Sequence, residues 1–233
     1  MMRSSEAAGV FASLGAWPRW KNVKRMLMTF VFCSALVIMA ACARVRYPNY
    51  YTLNVPAPPD PPASEGAHAI LAVREFSAPT YLRQGSIAYK TSPEQIGFYA
   101  YHRWATDPRE VVTTAIIDRL RASAAFTLVK PYDGRADAGY VLSGRLEKLD
   151  EFDYDGGVKV EVALSAQMTN VATNATVWTN TVSEIGEVKK RDVPAVVSEM
   201  NRTLERAIEK LLTSMPVDVV TASTAAKKKP RHS

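Results

Sequence analysis

Cys42 is the residue whose neighbours best prepare it for covalent chemistry, and it is one of only two cysteines in 233 residues. Met39-Ala40-Ala41 precede it, and short side chains just ahead of a cut let an extended chain enter a secretory peptidase. A cysteine at the first position after such a cut can carry a diacylglycerol on its thiol. Cys33 lies within an apolar run and is followed by more hydrophobic sequence, which makes it a poor lipidation site.

No other group of residues matches a reaction centre. His68, His102 and His232 are scattered, so no pair has metal-ligand spacing. The chain has no Gly-x-Ser-x-Gly elbow and no phosphate-binding glycine loop before a helix. Glu147, Asp150, Glu151, Asp153 and Asp155 form an acidic cluster that could be imagined as a cation site. It straddles a hairpin tip, however, where carboxylates are usually just solvated. Tyr99, Tyr101 and Trp104, with His102, could line an apolar ligand groove or contact a partner; the plainer alternative is an aromatic half-core under the first long helix. These residues predict no enzyme, no metal and no cofactor apart from a covalent lipid on Cys42.

Residues 21–42 position that cysteine. Lys21, Lys24 and Arg25 form a positive n-region and residues 26–41 an uncharged apolar core, so Met39-Ala40-Ala41-Cys42 resembles the lipobox that ends a bacterial lipoprotein signal. Methionine departs from the commoner leucine at the first position but is still bulky and apolar. Two other readings stand beside it. A transmembrane helix would need about twenty apolar residues, and a buried core helix would need a polar face and a partner.

The expected organisation is a signal with an N-terminal extension (1–41), a lipidated cysteine and Pro-rich tether (42–66), a folded domain (67–215) and a disordered basic tail (216–233). Six prolines between 48 and 62 make the tether extended and semi-rigid, holding the domain away from a membrane. Within it, Tyr50-Tyr51-Thr52-Leu53 reads as a segment that packs on the domain or adds an edge strand, and such an edge could pair with a neighbouring copy. The net charge of +6 lies mostly at the ends. Five basic residues against Glu6 leave with the signal, and Lys227, Lys228, Lys229 and Arg231 sit in the tail. The body is weakly acidic, and nothing in this distribution calls for nucleic acid.

Strands are expected at 68–76, 86–91, 95–104 and 126–129, followed by a meander from residue 140 to about 185. Residues 158–168 alternate apolar and polar side chains over eleven positions, the mark of an antiparallel strand with one wet face. Asp107-Pro108-Arg109-Glu110 opens one long helix and Asp192 another. Together these give an α+β fold, an antiparallel or mixed sheet with two long helices packed on one face.

The order of landmarks resembles a known family: a lipobox, Tyr50-Tyr51-Thr52-Leu53, a strand ending near Phe76-Ser77-Ala78-Pro79, Trp104-Ala105 before Asp107-Pro108, and Ala138-Gly139-Tyr140-Val141-Leu142-Ser143-Gly144 entering a meander. That succession is similar to the ABC-type transport auxiliary lipoproteins, over residues 42–212. The resemblance implies a periplasm-facing lipoprotein without a catalytic centre. It would work beside an ABC permease and ATPase and a mammalian-cell-entry (MCE) domain protein, moving lipids or other apolar compounds. Ala43, where aspartate would favour inner-membrane retention, points to the outer membrane. The competing expectation is a stand-alone envelope lipoprotein that binds an apolar small ligand near Tyr99, Tyr101 and Trp104.

Overall fold

The computed structural model describes residues 18–41, 46–59, 69–135, 137–154 and 156–216. Cys42 lies outside these, as do Asp155, residues 60–68 and the tail from 217. The chain divides into two compact units, Met1–Arg46 and Tyr47–Ser233. In the first, helix α1 (Pro18–Ala41) takes up the n-region and apolar core, and its described side chains, Cys33 included, are exposed. No helix among the described residues is long and apolar enough to cross a membrane.

The second unit is an α+β layer structure. In chain order it contains β1 (Asn49–Tyr51), β2 (Ile70–Val73), a 3-10 turn (Thr80–Gln84), β3 (Ser86–Ser92), β4 (Gln95–Trp104), α2 (Pro108–Ala122), β5 (Leu128–Pro131), β6 (Tyr140–Phe152), β7 (Lys159–Asn170), β8 (Thr176–Glu187) and α3 (Val193–Thr213). The eight strands form one mixed sheet. β6, β7 and β8 are the antiparallel meander, whereas β2 runs parallel to both β5 and β6, β3 parallel to β6, and β1 parallel to β4.

The helices start where their caps place them. Asp107 Oδ1 accepts from the Arg109 amide at 2.9 Å and Asp192 Oδ1 from the Ala195 amide at 2.9 Å, each satisfying an amide that has no partner within its helix. Val112, Ile116 and Leu120 of α2 are buried. So are Val196, Met200, Leu204, Ile208 and Leu211 of α3, which join Val160, Val162, Leu164 and Met168 of β7 in one core. The alternation read along β7 is therefore its division between core and water. Gly156 and Gly157, with φ of 69° and 137°, make the β6–β7 turn that other residues would strain.

Three expectations shift. The strand expected at 126–129 is Leu128–Pro131, because Ala124 adopts a positive φ of 53° as the chain leaves α2 and Phe126 drops into the core. The strand expected at 68–76 ends at Val73. Beyond it, the Phe76 amide donates to Thr113 Oγ1 of α2 at 3.0 Å, and its ring fills the space over Gly144. Finally, the Pro-rich stretch does not precede the sheet. β1 pairs with β4 ahead of the prolines at 56 to 62, and Leu53 is buried in the core, so the prolines connect β1 to β2.

A side chain on Gly144 would collide with the Phe76 ring. Gly144→Ala should therefore destabilise the domain by about 1–3 kcal/mol, seen in urea titrations as a lower midpoint with an unchanged slope.

Candidate functional site

The aromatic residues singled out in the sequence lie on β4, but they do not form one wall. Between Phe98, opposite Ala88, and Arg103, opposite Ser86, the β3–β4 register slips, and the bulge breaks strict alternation. Tyr99 and His102 end on the same side, with rings 5.6 Å apart and edge to face. Tyr101 is exposed, and Trp104 is buried with its indole Nε1 unpartnered. The slip brings Tyr99 and His102, three residues apart, to one side, which the sequence does not announce.

Around Tyr99 the structure builds two adjacent tyrosine–carboxylate pairs, one on each face of the sheet. Asp150 and Glu151 are consecutive on β6 and so point to opposite faces. Toward the helices, Tyr99 donates its hydroxyl to Glu151 Oε2 at 2.8 Å and packs on Tyr89, ring centroids 5.0 Å apart. On the other face, Tyr81 donates to Asp150 Oδ2 at 3.1 Å, and Lys90 reaches the same oxygen at 3.1 Å. Asp150 Oδ1 is buried without a partner. The sequence suggested a solvated acidic tip. Instead Asp150 and Glu151 are buried because β6 continues to Phe152 and is flanked there by both β3 and β7.

Burial governs the protonation of these groups. It raises Asp150 above the usual carboxylate range, against the pull of Lys90 and the Tyr81 hydroxyl. It likewise raises Glu151, opposed by the Tyr99 hydrogen bond and assisted by Asp153. Both phenols are pushed well above the ordinary tyrosine value, first by burial and then by the carboxylates they serve. They are hydrogen-bond donors throughout the physiological range. No set of three or more His, Cys, Asp or Glu that could hold a metal ion occurs among the described residues.

The larger concavity lies elsewhere. A groove of about 750 Å3 opens between the C-terminal ends of α2 and α3, with Pro56 and Pro58 as one wall and Leu120, Leu212 and Met215 among its apolar lining. Arg119 closes its rim, donating to Glu205 Oε1 at 3.0 Å and to the Pro56 carbonyl at 3.3 Å. Tyr99, Tyr101 and Trp104 do not line it. The sequence offered no signal for it, since its walls come from three segments far apart in the chain.

The mixed sheet under two capped helices, entered by a short N-terminal edge strand, defines a class of fold that solved structures share. XCC0632 from Xanthomonas campestris superposes with a TM-score of 0.61 at 15% identity, covering 77% of this chain and all of that one. An uncharacterised protein superposes with a TM-score of 0.58 at 13% identity, covering 73% of this chain and all of its own. At these identities the likeness is one of fold. No curated protein matches the sequence. The family model for the ABC-type transport auxiliary lipoprotein component matches residues 51–211, and the chain belongs to that family.

Glu151 binds its proton more tightly folded than unfolded, so its contribution to stability is fully present below about pH 4.3 and is lost as pH rises through the folded value. Glu151→Gln keeps an acceptor for Tyr99 and removes the buried charge. It should be more stable than wild type at pH 7, with the advantage shrinking toward pH 4 in chemical denaturation curves.

Proposed function

We propose that the chain is a lipid-anchored, non-enzymatic accessory subunit of an MCE-type ABC transport system, moving lipids or other apolar compounds across the cell envelope. The observation that carries this reading is the family match over residues 51–211, placed directly behind a signal that ends at Cys42. After cleavage, Cys42 holds the diacylglycerol. Each buried methylene adds about 0.8 kcal/mol, so more than one acyl chain holds the protein in its leaflet. Ala43 directs it to the outer membrane, facing the periplasm, where it meets the MCE protein and, through that protein, the permease and ATPase. The domain then supplies surface rather than chemistry, and the tyrosine–carboxylate pairs hold the sheet.

The groove favours a second reading, a stand-alone envelope lipoprotein that binds an apolar small ligand between α2 and α3 rather than at Tyr99, Tyr101 and Trp104. At about 750 Å3 it falls within the usual range for ligand pockets.

An affinity-tagged chain extracted from membranes in mild detergent should bring down an MCE-domain protein and the permease. Recovery of the lipoprotein alone contradicts the transport reading. Native mass spectrometry showing a retained lipid favours the ligand binder.

A further inference from the structure

We infer that the β3–β4 hairpin rests against the bilayer, with Ile96 and Phe98 at the lipid interface. The inference depends on the proposed lipidation of Cys42. Because β1 is stitched to β4 ahead of the proline run, the spacer between anchor and domain is not the Pro-rich stretch but the short segment from Cys42 to β1. Asn49 is the seventh residue after Cys42, which at full extension spans at most about 25 Å. β1 runs parallel to β4, so the chain enters it from the end of β4 where the hairpin turn lies. Asn49 pairs with His102, and from His102 back to Gln95 at the turn is again seven residues, or up to about 23 Å of strand. At up to about 25 Å the spacer is thus comparable in length to the hairpin strand alongside it, which is up to about 23 Å. A membrane holding Cys42 on that side lies within reach of the hairpin.

The side chains on this projection suit an interface. Ile96 and Phe98 lie opposite Lys90 and Ala88 on the sheet face that carries Asp150, and each is 38% exposed. Tyr47 and Tyr50, 81% and 62% exposed, sit at the same entry end of β1. Tyrosines with a wet hydroxyl and an apolar ring settle at the headgroup level, and an exposed isoleucine–phenylalanine pair loses water there. Lys90 is tied to Asp150, and Glu94 at the turn receives the Ser92 hydroxyl at 3.2 Å. The contact therefore rests on apolar burial and does not need anionic lipid.

The test uses the full chain expressed with its signal, purified from membranes and reconstituted in phosphatidylethanolamine–phosphatidylglycerol liposomes. Once Cys33 is removed with the signal and Cys42 is acylated, an environment-sensitive dye labels a single introduced thiol in Ile96→Cys, Phe98→Cys or, as control on α3, Ser198→Cys. The first two labels should brighten several-fold, shift to the blue and be quenched by nitroxide-headgroup lipids, while the control stays at its aqueous emission. Acylated protein that floats with the liposomes but leaves the labels at 96 and 98 aqueous overturns the hairpin contact alone. Labels that respond only when the transport partners are added assign the face to protein and also overturn it. A chain that neither carries acyl mass nor floats overturns the lipidation reading and this inference with it.

Discussion

The structure depends on a single strand with neighbours along both sides. β6 pairs with β7 over its whole length, while its other side is shared, β2 taking the start and β3 the end. Between those partners the chain stays attached through the Ser77 amide to the Gly144 carbonyl and the Leu146 amide to the Ser77 carbonyl. Gly144 lets the Phe76 ring lie flat on β6 at that junction, and a slip between Leu146 and Lys148 re-aims the strand so that Leu149 and Glu151 continue the buried face. Meander, parallel strands and hairpin are all fastened to this one element. It is also where the carboxylates become buried.

This arrangement decides what the edge of the sheet can do. The hairpin hangs from the last residues of β6, and β1 adds to the hairpin's outer strand, with the Ala105 amide donating to the Tyr51 carbonyl at 2.8 Å. Tyr51 also bonds His102 Nδ1 through its hydroxyl at 2.9 Å. Three residues of strand make a weak seam, but Leu53 immediately after them is buried in the core and holds it. The chain therefore enters the domain at the rim of the sheet, and Pro56 and Pro58 follow along the groove between α2 and α3.

Elements with strong local signals were legible in the sequence. Asp107 and Asp192 announced both helices, and the period of two from 158 to 168 announced β7 and its wet side. Tyr50 to Leu53 reads as a segment that packs on the domain or adds an edge strand; β1 is the edge strand and Leu53 packs in the core. What the sequence did not yield depends on contacts between distant segments. Parallel pairing of β2 with both β5 and β6 leaves no local trace. The bulge that brings Tyr99 and His102 to one side is a property of two strands, and the burial of Asp150 and Glu151 comes from β3 and β7 closing on β6. Proline content marked a spacer ahead of the domain but could not say that β1 and Leu53 join the sheet and core before most of those prolines.

Everything proposed for this chain hangs from the chemistry at Cys42, and the intact mass of the protein extracted from bacterial membranes tests it most directly. The account predicts a product that begins at Cys42 and carries diacylglycerol plus acyl mass, replaced by an unlipidated chain in Cys42→Ser. A mass that retains residues 1–41 without acyl addition would contradict it and leave the apolar run as an uncleaved segment.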